Sequence, residues 1–289
     1  MENKITGYTK LMGIIASPIK HSLSPSLHNS AFNRLNLDYV YLAFEVEKDN
    51  LQTAFEGLKA IGIEGLNISM PYKQAIIPLL DGLDESAKLC EAVNTIVKKD
   101  DQYIGYCTDG SGFMASLKDE NIDVLNKKIV ILGTGGAATA ILVQAVLDGV
   151  KDIVVYKRNM ATSDFIHKIE QLRPLCIGTI EFKDLSDLEA LKKDLKNSAL
   201  LVQATSVGMK PYENDCLIPN ESYLHQNLAV VDIIYNPLET KLLQMAKVVG
   251  CKSINGKSML LFQGAKAFEL WTNHKMDIAY AKKTVMGME

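Results

Sequence analysis

The chain has 289 residues, 47% of them hydrophobic and 22% charged, with a formal net charge of −3. That is the balance of a globular, soluble chain, and its length exceeds what one hydrophobic core usually serves, so two domains are expected. The slight negative charge offers no basic surface for nucleic acid or an anionic membrane, no apolar run is long enough to span a bilayer, and Glu2 and Lys4 stand where a signal peptide would carry its apolar stretch.

A cytoplasmic protein is expected on these grounds. The five cysteines, Cys90, Cys107, Cys176, Cys216 and Cys251, form no C-x-x-C pair and read as reduced thiols. None of the five histidines stands at metal-ligand spacing from another His or Cys, so no metal site is expected.

Strand-like and helical runs alternate along the first third. Leu11 to Ile15 precedes a helix over Ser26 to Leu35, Tyr39 to Phe44 precedes one over Asn50 to Ile61, and Glu64 to Ser69 precedes one started by Pro71. Such alternation builds a parallel sheet covered by helices. Val93 to Val97 and Tyr103 to Tyr106 follow as strands joined by the turn Lys99-Asp-Asp-Gln, and Asp109-Gly-Ser-Gly112 then breaks the pattern. The alternation restarts at Asn126 and continues through Leu200 to Gln203 and Ala229 to Ile234. Two α/β units in series are therefore expected, over residues 1–110 and 111–257. Met259 to Trp271 is a helix with no strand after it, so residues 258–289 are expected to return and complete the first unit.

Four places carry candidate chemistry. In Ser22-Leu-Ser24-Pro25 the two hydroxyls suit helix capping, and their alternate spacing equally suits a joint grip on a small carboxylate. Lys73 ends Asn67-Ile-Ser-Met-Pro-Tyr-Lys, at the carboxyl end of a strand where open α/β sheets bind ligands; a solvated helix lysine is the other reading. To act as a base, a lysine needs its pKa of about 10.4 depressed by burial or a neighbouring cation. Asp109, in Thr108-Asp-Gly-Ser-Gly112, is either a turn former or the carboxylate that orients that lysine. Finally, Lys127-Lys-Ile-Val-Ile-Leu-Gly-Thr-Gly-Gly-Ala-Ala138 reads as a buried strand breaking into a glycine turn that opens a helix. Gly133, Gly135 and Ala138 give the G-x-G-x-x-G/A spacing of a dinucleotide fingerprint, in which backbone N–H groups and the helix dipole hold a pyrophosphate.

Taken together, Ser22-Leu-Ser-Pro25, Ser69-Met-Pro-Tyr-Lys73, Glu91-Ala-Val-Asn-Thr95, Thr108-Asp-Gly110, the glycine turn, Tyr235-Asn-Pro237 and Phe262-Gln-Gly-Ala265 make the chain resemble the shikimate dehydrogenase family over essentially its whole length. Met259-Leu-Leu-Phe-Gln-Gly-Ala-Lys-Ala-Phe-Glu-Leu-Trp271 and Val285-Met-Gly287 resemble the quinate/shikimate branch most. The resemblance implies an α/β substrate domain, a Rossmann-like dinucleotide domain and a C-terminal helix returning to the first. It implies NAD(P)-dependent, reversible oxidation of a ring hydroxyl of shikimate, with quinate as an alternative substrate, by a homodimer of the aromatic amino acid pathway.

Carried onto this sequence, the resemblance makes Lys73 and Asp109 the catalytic pair. It gives Ser22, Ser24, Ser69, Asn94, Tyr235 and Gln263 to the substrate. It gives Gly133, Thr134, Gly135, Gly136, Ala137, Lys157, Arg158, Asn159, Ser206, Ile233 and Gly256 to the nucleotide. Cys107 stands where the family usually has asparagine, and Asn255-Gly-Lys-Ser258 is less glycine-rich than the family turn. Tyr156-Lys-Arg-Asn159 lacks the acidic residue that would bind a ribose 2′-hydroxyl, although Asp164 lies nearby in sequence. The cations Lys157 and Arg158 favour the 2′-phosphate of NADP, whereas the branch resemblance leans to NAD. A related dehydrogenase of another hydroxylated acid, and a sensing module that has lost its chemistry, are the competing readings.

Overall fold

The computed structural model describes residues 5–158 and 163–288. The chain divides into two units, Met1–Gly112 with Leu261–Glu289, and Phe113–Leu260.

The first unit runs β1 (Lys10–Ala16), α1 (Ser24–Arg34), β2 (Tyr39–Glu45), α2 (Leu51–Ala60), β3 (Gly65–Ile68), β4 (Gly82–Leu83), α3 (Glu85–Cys90), β5 (Thr95–Lys99) and β6 (Gln102–Tyr106), and α4 (Thr108–Asp119) begins in it. The sheet order is β2-β1-β3-β5-β6-β4. The first three strands are parallel, and β5 is antiparallel to both neighbours. Met12 to Ala16 and all of β3 are buried, as expected of strands covered on both faces. Pairing of Ile15 with Ile68, and of Thr95 with both Asn67 and Tyr106, brings the ends of β1, β3 and β6 and the start of β5 to one sheet edge. Helix α9 follows later in the chain as Gly256–Thr272. From Leu261 onward it packs in this unit, as the absence of a following strand suggested: Trp271 Nε1 donates to the Ile96 carbonyl at 2.9 Å, and Phe268 stacks on Phe32.

Two expectations fail here. No α-helix starts at Pro71: Tyr72 to Leu80 forms turns and a 3₁₀ segment, Ile77–Leu79. Pro78 lacks an N–H and disfavours the α region for Ile77, so an α-helical ladder cannot continue. Asp109 to Gly112 is no breaker but the first turn of α4. Gly112 is glycine because a Cβ there would meet the backbone of Gln263 at 2.4 Å, so its role is close helix approach.

The second unit runs β7 (Lys128–Leu132), α5 (Gly136–Leu147), β8 (Asp152–Lys157), α6 (Ser163–Leu172), β9 (Thr179–Asp184), α7 (Leu188–Lys196), β10 (Leu200–Gln203), β11 (Ala229–Asp232), α8 (Lys241–Val249) and β12 (Ser253–Ile254). Its strands lie in the order β12-β11-β10-β7-β8-β9, every neighbouring pair parallel. Counted from β7 this is 3-2-1-4-5-6, the Rossmann order, whose reversal point lies between β7 and β10. Strand β11 stops at Asp232, two residues before the apolar run ends, because the Asp232 carboxylate takes the N–H of Ile234 at 3.1 Å.

Candidate active site and nucleotide-binding turn

Lys73 and Asp109 come together at the edge shared by β3, β5 and β6. Lys73 Nζ donates to Asp109 Oδ2 at 2.5 Å, with side-chain exposures of 28% and 13%. Burial opposes the lysine charge, but the Asp109 carboxylate, through its charge and hydrogen bond, outweighs it and holds the ammonium above the ordinary lysine range. Lys73 is thus a protonated group, contrary to the depressed pKa that a free base would need.

Asn94, just before β5, organises this pair. Its Oδ1 accepts the Thr108 N–H at 2.7 Å, capping α4 from 14 residues away in sequence. Its Nδ2 lies 2.8 Å from Asp109 Oδ1, 3.0 Å from Thr108 Oγ1 and 3.3 Å from Gln263 Oε1. An amide has two N–H donors, and the Thr108 hydroxyl can instead donate to Asn94 Oδ1 at 3.1 Å, which frees both protons for Asp109 and Gln263. Asp109 lies in the first turn of α4, where the helix dipole favours a carboxylate.

Behind this layer lies a buried chain that sequence reasoning did not single out. Asn67 Nδ2 donates to the Asn94 carbonyl and to Thr95 Oγ1, both at 3.1 Å, and Tyr41 donates its phenolic proton to Asn67 Oδ1 at 2.7 Å. Thr95 and Thr108 hydroxyls are 3.1 Å apart. Each residue is a polar position on or beside an otherwise apolar strand, the one signal that could have flagged it. His28, fully buried and stacked on Tyr41, is pushed by burial down to about 3 and is neutral.

Ser22 and Ser24 follow β1 at the same edge. Leu23, not a serine, is the N-cap of α1, and no side chain caps that helix. Ser22 Oγ accepts the Ser24 N–H at 3.3 Å, and Ser24 is buried. Ser69 follows β3, half-buried, its N–H donating to the Ile15 carbonyl at 3.0 Å. Tyr235 belongs to the second unit and is 49% exposed. His21 is exposed.

In the second unit the glycine turn joins β7 to α5 beside the reversal point. Gly133 has φ +114°, and a Cβ on it would stand 2.7 Å from the Ala204 carbonyl oxygen after β10. Gly135, at φ −75°, is the N-cap of α5, with no side-chain cap; Cβ atoms on Gly135 or Gly136 would meet nothing within 4 Å. The turn is therefore tight where the strands require it and open where a phosphate would need to reach backbone. Thr134 is half-buried and Ala137 lies in the first turn of α5. Tyr156 pairs with Leu132, so half-buried Lys157, which ends β8, and exposed Arg158, which follows it, lie next to this turn. Asn159 and the side chain of Asp164 lie outside the described residues. Ser206 is exposed in the loop after β10, and the Ile233 carbonyl presses on Gly256 so closely that no Cβ would fit.

The family model for the Shikimate dehydrogenase substrate binding domain matches residues 14–96, and that for the Shikimate 5'-dehydrogenase C-terminal domain matches residues 256–286. The chain is 45% identical over 284 residues to the Shikimate dehydrogenase (NADP(+)) of Listeria monocytogenes serotype 4b (strain F2365), covering 97% of each chain. The chain belongs to the shikimate dehydrogenase family. A crystal structure of shikimate 5-dehydrogenase from Listeria monocytogenes, in complex with shikimate and NAD, superposes with a TM-score of 0.93 at 44% identity over 98% of both chains. Quinate dehydrogenase from Corynebacterium glutamicum, in complex with NAD, gives 0.85 at 27% identity over 97% of this chain and 99% of that one. The shikimate dehydrogenase matches enclose Ser22, Ser24, Ser69, Lys73 and Asn94 in the first span and Gly256 and Gln263 in the second. Among the described residues no group of three His, Cys, Asp or Glu could hold a metal ion, and no helix is long and apolar enough to cross a membrane.

Proposed function

We propose that this chain catalyses the reversible NAD(P)-dependent oxidation of a ring hydroxyl of shikimate to 3-dehydroshikimate, a step of aromatic amino acid biosynthesis. The observation that carries this reading is the Lys73–Asp109 pair, 2.5 Å apart and held by Asn94. The bound nucleotide would supply the hydride acceptor, or the donor in reverse. In the direction of reduction Lys73 gives its proton from Nζ to the ketone oxygen, and Asp109 orients that proton and keeps it on nitrogen until it is needed. In the direction of oxidation Lys73 must first be deprotonated, so this direction gains from alkaline pH.

Ser22 and Ser24 would hold the substrate carboxylate with two hydroxyl donors. Ser69, Asn94, Gln263 and Tyr235 would take the ring hydroxyls. Gly133 to Ala137 would receive the pyrophosphate on backbone N–H groups, a fit supported by the open space above Gly135 and Gly136. Ser206, Ile233 and Gly256 would line the nicotinamide side, and Lys157, Arg158 and Asn159 the adenosine side. Residues 1–110 with 258–289 are thus read as the substrate domain and 111–257 as the dinucleotide domain.

For the nucleotide, the lean to NAD rests on the branch resemblance. Lys157 and Arg158, and the NADP(+) name of the Listeria relative, favour NADP. Quinate as a second substrate is supported by the likeness to the Corynebacterium enzyme. Initial rates with both nucleotides crossed against both acids test all of these at once; no turnover with any combination would refute the reading. A homodimer, implied by the family resemblance, and a cytoplasmic location, expected from the sequence, are tested by analytical ultracentrifugation and cell fractionation.

A further inference from the structure

Asp232 ends β11 with no exposed surface and engages both carboxylate oxygens. Oδ1 accepts the Ile234 N–H at 3.1 Å, and Oδ2 accepts the Thr240 hydroxyl at 2.7 Å. Thr240 is the N-cap of α8 and accepts the Leu243 N–H at 3.4 Å. One carboxylate therefore grips both ends of the loop 233–240. That loop is also packed from outside: the Gly256 N–H donates to the Ile234 carbonyl at 2.9 Å, and Gly208 lies against Ile234 and Thr240 side chains.

The neighbouring strand repeats the device. Gln203 pairs in register with Asp232 and is buried. Its Oε1 accepts the Thr205 N–H at 3.0 Å and hydroxyl at 2.9 Å, and its Nε2 donates to the Val207 carbonyl at 2.6 Å. Gln203, Val207, Asp232 and Thr240 line one small cavity with Asp215 and Cys216. A buried carboxylate is costly unless hydrogen-bonded, and bonds to a charged acceptor are stronger than neutral ones, so a loop tied this way is held stiffly.

We propose that Asp232 is a positioning residue which, through Thr240, holds the loop carrying Ile233 and Tyr235 in the form that receives the nucleotide. The proposal rests on the assignment of that loop to the nicotinamide side. It is tested by titrating NADPH and NADH into wild type, Thr240→Val and Thr240→Ser by nicotinamide fluorescence, with shikimate turnover measured alongside. Thr240→Val keeps the side-chain shape and removes the hydroxyl that Asp232 accepts.

The expected result is a nucleotide Kd raised about tenfold or more in Thr240→Val, an unchanged shikimate KM, and recovery in Thr240→Ser. A purely structural loss lowers the folded fraction, and so the amplitude and Vmax, but leaves the Kd of the folded molecules unmoved. An unchanged Kd, a parallel rise in shikimate KM, or no recovery with serine overturns the proposal. Should Thr240→Val not fold, Asp232→Leu, close in shape but without acceptors, is judged by the nucleotide Kd and the shikimate KM alone: a raised Kd with an unchanged KM supports the proposal, and an unchanged Kd overturns it. Wild type that binds nucleotide but leaves shikimate unoxidised would refute the proposed reaction while leaving this test standing, and wild type that binds neither nucleotide would refute both.

Discussion

Gly112 of α4 lies so close to Gln263 of α9 that a Cβ on the glycine would stand 2.4 Å from the Gln263 backbone nitrogen and 2.7 Å from its Cβ. Backbone cannot yield as a side-chain tip can, so Gly112→Ala must push the two helices apart. Gln263 then leaves Asn94, the residue that holds Asp109. Overpacking of this kind costs about 1–3 kcal/mol. Gly112→Ala is expected to lower Tm and to raise the shikimate KM, with nucleotide Kd unchanged. A shikimate KM equal to wild type would remove Gln263 from substrate binding.

Lys73→Met should lower kcat by about 10² to 10⁴, the range of general acid–base catalysis. Asp109→Asn is the more informative variant. In wild type burial disfavours the lysine charge and Asp109 outweighs it. With the carboxylate gone, burial is opposed only by the smaller contributions of Cys107 and Cys90, so the Lys73 pKa falls. Reduction of 3-dehydroshikimate needs the ammonium, so the alkaline limb of its pH–rate profile is expected to move to lower pH in Asp109→Asn. An unmoved limb would mean that another group sets that ionisation.

What was legible in the sequence follows from how each signal arises. Strands β7 and β10 are buried on both faces and therefore written as continuous apolar runs, which periodicity finds. The start of α4 was hidden because its cap, Asn94, lies 14 residues upstream, and because Gly112 answers to Gln263 rather than to local conformation. Strand β9 sits at a sheet edge, and Thr179-Ile-Glu-Phe-Lys-Asp184 carries polar residues that mask it. Lys73 and Asp109 were each legible as residues at strand ends, but their contact, across 36 positions, is a property of strand order that no local pattern encodes. The lysine's protonated state depends on that same contact and is likewise absent from any local pattern.

The glycine turn separates folding from binding in two substitutions. Gly133→Ala puts a Cβ at φ +114° against the Ala204 carbonyl, so both strain and a clash oppose it. A loss of about 1–3 kcal/mol in stability, read as a lowered Tm, is expected. Gly135→Ala sits at φ −75° with no atom within 4 Å of the new methyl, so Tm should stay within error of wild type or rise slightly. Its methyl nevertheless occupies the space through which a pyrophosphate would reach the backbone, and the nucleotide Kd should rise. Unaltered nucleotide affinity in Gly135→Ala would mean that the pyrophosphate sits elsewhere.

Asp232 gives a stability signature with a definite sign. Its carboxyl is pushed up to about 6 by burial, which the Thr240 and Ile234 hydrogen bonds only partly offset. In the unfolded chain an aspartate titrates near about 3.9. Between these values the folded protein binds the proton more tightly, so stability falls as pH rises through this window and levels off above about pH 6. A gap of two pKa units corresponds to about 2–3 kcal/mol. Asparagine does not titrate, so the stability of Asp232→Asn relative to wild type should climb by about that amount from pH 4 to pH 7, as measured by urea unfolding. The hydrogen bonds of the ionised carboxylate are already contained in its folded-state pKa, so the variant's pH-independent packing changes shift the whole difference by a constant but not its slope. A difference that stays flat across that range would mean that Asp232 is ionised as readily in the folded protein as in the unfolded chain, and that its two hydrogen bonds fully offset its burial.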